Sequence, residues 1–240
     1  MTQPDDSPLT LICVLGMHRS GTSCLSGCLE ERGLQLGEVV NKATYNRKGN
    51  KENLEFRAVN DAVLAESGGA WDRPPERLVW NDDLRARRQA YLDAHATFGT
   101  WGVKDPRTLL TLPFWQEAAL DLRSVGTFRH PVAVARSLNS RPGMEPATPA
   151  LELWKAYNTA LLEAAQVQNI PLICFDQSAD AYLSKVNELA RRIGLDSDTT
   201  GEAGDFFEED FRHHPVEELH VDAEAEPYMD LYEALLRHAL

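Results

Sequence analysis

Basic residues and cysteines are both scarce in this sequence. Lys and Arg number 24 against 37 Asp and Glu, which gives a formal net charge of −13. Binding to nucleic-acid polymers or anionic membranes depends on basic surfaces, so we expect neither as a partner. The four cysteines form neither a CxxC pair nor a dense pattern, which argues against a disulfide scaffold.

Long hydrophobic runs are also missing from the sequence. No apolar stretch approaches the roughly 18 residues that a membrane helix needs. The chain starts with MTQPDDSPLT, which is acidic where a secretion signal would be basic. We therefore expect a cytoplasmic protein without membrane insertion.

The negative charge is concentrated near the C-terminus. Residues 201–240 contain twelve acidic residues and two basic ones, so they carry −10 of the −13 and leave −3 on residues 1–200. An anionic small ligand therefore remains compatible with the upstream part. We expect a single domain over 1–240, with a flexible segment at 1–8, an acidic and partly disordered loop at about 201–226, and a helix at 227–240.

Buried-type apolar runs alternate with helical periodicities along the chain. Strands alternating with helices predict an α/β fold with three layers, in which helices flank a mostly parallel central sheet. Residues 68–83, which contain Trp71 and Trp80, have the composition of a surface connection. The predicted strands are 9–15, 101–104, 124–128 and 170–175, and the predicted helices are about 24–33, 52–64, 131–138, 149–168 and 179–192.

A glycine loop, GMHRSGTS at 16–23, follows the first predicted strand and precedes a helix. Such a loop points backbone N–H groups at one spot, where an anion fits. It is close to the nucleotide-triphosphate motif GxxxxGK[ST], but Thr22 stands where that motif requires Lys, and the cation is Arg19 instead. An ordinary ATP or GTP site is therefore disfavoured.

Three further polar motifs accompany the loop. Lys104-Asp105-Pro106-Arg107 and Arg129-His130-Pro131 each follow a predicted strand, and Ser137 lies eight residues after Arg129. Open α/β sheets bind ligands at the carboxyl ends of their strands, so these groups should meet the glycine loop. The third motif, NRKGNKEN at 46–53, places Glu52 among cations.

Together, GMHRSGTS, GNKEN, VKDPR, FRHPVAVARS and ICFD resemble the motifs of P-loop-related sulfotransferases, in the bacterial branch whose loop carries Arg. The resemblance covers about 11–195, with a fainter match at 206–214. It implies a P-loop-like sulfotransferase fold, the donor 3′-phosphoadenosine 5′-phosphosulfate (PAPS) with product PAP, and no required metal. The family's 3′-phosphate pair maps onto Arg129 and Ser137. Its 5′-phosphosulfate loop maps onto His18, Arg19, Ser20, Gly21, Thr22 and Ser23.

The resemblance also implies catalytic roles. Arg19 would stabilise the leaving group, and Lys104 would support the sulfonyl group. Many members carry a histidine base two positions after this lysine, where the present chain has Pro106. Other branches use a glutamate after the loop helix, which corresponds to Glu52, with Glu38 and Asp105 as alternatives.

The acceptor is a small-molecule or glycan hydroxyl by this interpretation, and a carbohydrate is favoured. The tryptophans could include a sugar-stacking platform, although most should belong to the core. A P-loop small-molecule kinase and a non-catalytic nucleotide-binding module are the alternative functions. The sequence does not indicate the oligomeric state.

Overall fold

The computed structural model describes residues 9–40, 49–118, 120–140, 145–195, 207, 221 and 223–240. Its four strands form one parallel sheet in the spatial order β2-β1-β3-β4. The strands are β1 (Thr10–Leu15), β2 (Thr100–Lys104), β3 (Asp121–Phe128) and β4 (Leu172–Cys174). The predicted parallel α/β sheet is thus confirmed, although β4 is shorter than the predicted strand at 170–175.

Helices connect the strands and cover both faces of the sheet. The 14-residue α7 has the predicted bounds, and the C-terminal helix α8 follows a short 3-10 turn at Glu226–Tyr228. Within the described ranges, no helix combines the length and apolar character needed to cross a membrane. The helices are α1 (Thr22–Glu30), α2 (Leu54–Glu66), α3 (Asp82–His95), α4 (Thr108–Gln116), α5 (Pro131–Asn139), α6 (Ala150–Gln168), α7 (Ala179–Arg192) and α8 (Met229–His238).

Alternation along β1 divides the core into two apolar layers. Ile12 and Val14 pack with residues of α1 and α7 on one face of the sheet. Leu11, Cys13 and Leu15 pack on the other face with α2, α4, α5, α6 and α8. All of these β1 side chains are fully buried, which is expected for a strand in the interior of a parallel sheet.

Two helices, α3 and α4, have no counterpart among the predicted elements. In α3 the buried face consists of Leu84, Arg88, Tyr91 and Leu92, so an arginine interrupts the apolar pattern. In α4, Pro113 lies inside the helix, where proline ordinarily signals an ending. Tertiary burial outweighs both local signals, because Tyr91 and Leu92 of α3 and Phe114 and Trp115 of α4 are buried.

The strand order determines where a ligand can bind. Since β2 and β3 lie on opposite sides of β1, the connections diverge there, and ligand sites in open α/β sheets form at such a point. Val14 is in register with Lys104, the last residue of β2, and with Val125 of β3, so β1 and β2 end within one residue of each other while β3 continues to Phe128. The predicted terminal segments at 1–8 and 201–226, and the faint match at 206–214, lie largely outside the described residues.

Candidate active site

The glycine loop between β1 and α1 is shaped by two residues that must lack a side chain. A Cβ atom on Gly16 would lie 2.4 Å from the Thr127 carbonyl oxygen, and one on Gly21 would lie 2.2 Å from the Phe175 ring. Gly21 has φ of 84° and precedes α1 without providing a side-chain cap. The N-terminus of α1 is therefore suited to an anion rather than to a capping side chain.

A cleft of about 200 Å³ opens at this loop. It combines residues from the loop, from the segment before α2, and from the end of β2. Six sequence-predicted site residues are among those that line it. The lining residues are His18, Arg19, Thr22, Ser23, Asn50, Glu52, Arg57, Lys104, Pro106 and Arg107.

An ion pair between Glu52 and Lys104 joins two sides of the cleft. Lys104 Nζ donates to Glu52 Oε1 at 2.7 Å, and the lysine side chain is only 2% exposed. Burial lowers the pKa of Lys104, while the neighbouring Glu52 opposes this shift. On its other side, Glu52 Oε2 lies 3.8 Å from Arg57. The carboxylate that the sequence favoured as a base is therefore held between two cations.

The segment that carries Glu52 is fastened to its neighbours. Ser23 Oγ donates to the Asn50 carbonyl at 3.0 Å, and Asn53 caps α2 by accepting from the Phe56 amide. Glu38, the alternative base, is exposed and lines a neighbouring cleft of about 720 Å³ together with Glu52. Among the described residues, Glu52 is thus the carboxylate shared by both clefts.

Asp105 lies behind the cleft rather than on its surface. Its side chain is fully buried and accepts hydrogen bonds from Asn60 Nδ2 at 2.9 Å and from Arg107 at 2.9 Å. Burial raises the pKa of Asp105, and Arg107 opposes the shift. Its contacts orient Arg107, which does line the cleft, so we describe Asp105 as a positioning residue.

Arg19 connects the loop to α5. It adopts φ of 68°, and its Nε donates to Ser137 Oγ at 2.8 Å. Two residues that the sequence assigned to opposite ends of one nucleotide are thus in direct contact.

Arg129 is nearby but engaged with a carboxylate. Its Nε donates to Asp176 Oδ1 at 3.0 Å, and both side chains are 5% exposed. Its guanidinium carbon lies 5.4 Å from the centre of the Phe175 ring, the same ring that contacts Gly21. Arg129 therefore faces the same neighbourhood as the loop, with Phe175 between them.

Comparison with known proteins agrees with this geometry at the level of fold. No protein-family model matches the chain, and no curated protein matches its sequence. The sulfotransferase domain of the Synechococcus PCC 7002 olefin synthase is similar in structure, with a TM-score of 0.58 and 14% identity. The alignment covers 98% of this chain and 96% of that domain. This chain has a sulfotransferase-like fold.

Within this sulfotransferase-like fold, several cleft residues were not singled out from the sequence. Arg57 and Arg107 line the cleft, and Trp71 lies beside the loop, with its ring centre 4.6 Å from that of His18. Arg107 belongs to a motif that was recognised, but nothing local marked its side chain as facing the cleft. Trp71 was one of five tryptophans without a distinguishing pattern, whereas Trp101, Trp115 and Trp154 are fully buried.

Metal binding has no visible basis in the parts of the chain that the structure describes. No group of three His, Cys, Asp or Glu side chains there could hold a metal ion. All four cysteines are free thiols and buried.

Proposed function

We propose that this protein is a sulfotransferase that moves a sulfonyl group from PAPS to an acceptor hydroxyl, with a carbohydrate as the favoured acceptor. The supporting observation is a single cleft that joins an uncapped helix N-terminus, Arg19, Lys104 and the carboxylate of Glu52. Anion-binding groups and a proton acceptor are the two components that sulfonyl transfer to a hydroxyl requires.

The residues of the loop fit the phosphosulfate end of such a donor. Ser20 is fully buried, and its Oγ has no hydrogen-bond partner among the described residues. A buried hydroxyl without a partner is costly unless a ligand satisfies it. When bound, PAPS supplies an activated sulfonyl group, whose bond to the 5′-phosphate oxygen breaks as the new bond to the acceptor oxygen forms.

Residues of the chain accept the proton and stabilise the developing negative charge. Glu52 accepts the acceptor's hydroxyl proton, and its ion pair with Lys104 fixes its orientation. Lys104 and Arg19 stabilise negative charge on the sulfonyl and leaving oxygens. Asp105 is left out of the proton transfer because Asn60 and Arg107 already occupy its carboxylate oxygens.

Arg129 and Ser137 remain our candidates for the 3′-phosphate. Asp176 and the Phe175 ring hold the guanidinium in a defined orientation. Ser137 accepts a hydrogen bond from Arg19, which leaves its hydroxyl hydrogen able to donate to a phosphate oxygen. Half-buried Trp71, close to the cleft through His18, supports a sugar ring as the acceptor.

Ligand-induced thermal shifts test the donor assignment. PAP at about 100 times its Kd should stabilise the protein by about 2.7 kcal/mol, a shift of about 5–10 °C for a domain of this size. The shift should not need magnesium, and it should exceed that of ATP with magnesium. A larger shift with ATP and magnesium would favour a kinase instead, and no shift with PAP would overturn the proposal.

Transfer from labelled PAPS to a panel of sugars tests the base. Glu52→Gln should retain the PAP shift but lose transfer by about 10²-fold or more. The matched control is Glu55→Gln, because Glu55 is exposed and does not line the loop cleft. Transfer at the wild-type rate in Glu52→Gln would remove Glu52 from the mechanism, and PAP binding without any transfer would indicate a non-catalytic module.

A further inference from the structure

Two arginines in the cleft have no role in the mechanism proposed above. Arg57 comes from α2 and Arg107 from the connection between β2 and α4, and both line the cleft with Glu52. We propose that they bind a carboxylate on the acceptor, so that the substrate is a hydroxyl compound bearing an acid group. This inference rests on the proposed function, because it assigns the acceptor class of the same site.

The two guanidinium groups lie close together. Arg107 Nε is 2.6 Å from Asp61 Oδ1, and Arg57 Nε is 4.0 Å from Asp61 Oδ2. Both side chains thus already flank one carboxylate from the protein. A planar guanidinium presents donors in a fork that matches carboxylate oxygens, so the pair has the chemistry to hold a second carboxylate.

Glu52 lies between Lys104, which is assigned to the donor, and Arg57. One oxygen of Glu52 accepts from Lys104, and the other faces Arg57 at 3.8 Å. An acceptor hydroxyl must reach Glu52 to lose its proton. Groups of the acceptor that extend away from Lys104 then lie towards Arg57, which shares the Asp61 carboxylate with Arg107.

The charge of the cleft also favours an acceptor with an acid group. Its lining includes the cations Arg19, Arg57, Lys104 and Arg107, and Glu52 is its one carboxylate among the described residues. This lining repels a cationic acceptor and attracts an anionic one.

Binding of matched compounds tests the inference without requiring turnover. Calorimetric titrations compare methyl glucuronoside with methyl glucoside, and 3-hydroxybutyrate with its methyl ester, each with and without PAP. We expect at least one acid to bind about tenfold or more tightly than its uncharged counterpart, as charge-assisted hydrogen bonds predict. Equal affinity within both pairs, or no binding of either acid, would overturn the inference.

Three variants test whether Arg57 and Arg107 cause the preference for the acid. Arg57→Gln is the main one, because its side chain is 42% exposed and its loss leaves no buried charge unpaired. Arg107→Lys keeps the positive charge beside buried Asp105 but removes the fork. Both should reduce the preference for the acid to about threefold or less, whereas Arg237→Gln, 70% exposed on α8, should not change it.

PAP affinity separates this inference from the proposed function. Arg57→Gln should bind PAP as the wild type does, and weaker PAP binding would assign Arg57 to the donor and overturn the inference. If wild-type protein fails to bind PAP, the proposed function fails, while the preference for the acid is still decided by the titrations without PAP.

Discussion

The ion pair between Lys104 and Glu52 leads to a quantitative prediction about stability. Lys104 Nζ lies 2.7 Å from Glu52 Oε1, and their side chains are 2% and 10% exposed. Burial lowers the pKa of Lys104, which means that the folded protein holds this charge at a cost that Glu52 offsets. Replacing each residue with methionine, singly and together, separates the charge from the packing.

The two single substitutions should differ. Glu52→Met leaves Lys104 charged and almost fully buried, so we expect a loss of about 3 kcal/mol in the free energy of unfolding. Lys104→Met should cost less, about 1–2 kcal/mol, because Glu52 keeps Arg57 nearby and is closer to solvent. The double variant should lie within about 1 kcal/mol of the wild type, since no charge is then left unpaired.

Urea unfolding at pH 7, followed by tryptophan fluorescence, measures the four free energies of the cycle. The two single losses sum to about 4–5 kcal/mol and the double variant lies within about 1 kcal/mol of the wild type, so the coupling energy should be about 3–6 kcal/mol. The stability deficit of Glu52→Met relative to the wild type should also shrink as the pH rises towards 10.5, the ordinary pKa of lysine. Because burial lowers the pKa of Lys104 in the folded protein, the unfolded chain binds more protons over this range, and stability therefore rises with pH. Additive single effects, or a deficit that does not change with pH, would refute this account of the pair.

Two further predictions concern the loop and the core. Gly21→Ala should lower the free energy of unfolding by more than the about 1–2 kcal/mol of left-handed strain, and it should abolish PAP binding. Gly33→Ala is the control, because Gly33 has a similar φ but no atom within 4 Å of the added Cβ, so this variant should show the strain alone. Equal melting temperatures of the two variants would contradict the close contact between Gly21 and Phe175. Burial raises the pKa of Cys13 from 9.0 to about 12, so its thiol contributes stability that is present below pH 9 and is lost as the pH rises towards 12. The free energy of unfolding, from urea titrations at pH 8 to 10, should fall less steeply with pH in Cys13→Val than in the wild type. The two slopes should differ by up to about 1.4 kcal/mol per pH unit above pH 9, and parallel curves would contradict this.

Local sequence patterns were sufficient to predict the sheet and to place the polar motifs at the carboxyl ends of its strands. The apolar run of β1 and the glycines that follow it are local features, and parallel strands bring their carboxyl ends to one edge. The sequence motifs around Arg19, Lys104 and Arg129 were therefore located correctly in the fold, although their functional roles stay predictions.

Side-chain partners were not predictable in the same way. Asn60 bonds to Asp105, Thr108, Thr111 and Trp115, all of them between 45 and 55 residues away along the chain. Nothing in the sequence around Asp105 shows that α2 will supply this buried amide. The cleft-facing arginines were missed for a similar reason, because facing direction depends on how α2 and α4 pack.

The way in which Glu52 reaches the cleft links the proposed base to the proposed donor loop. Glu52 does not lie at a strand end but in a segment fastened to both ends of α1, since Ser23 in the first turn donates to Asn50 at 3.0 Å and Lys51 donates to Glu30 in the last turn at 2.7 Å. The N-terminus of α1 is also the proposed phosphosulfate site. One helix therefore fixes the distance between the anion-binding amides and the carboxylate, whereas Lys104 approaches from β2. Because in-line transfer tolerates little error in the placement of reacting groups, fastening the proposed base to the helix that carries the proposed donor site would be a physical advantage of this arrangement.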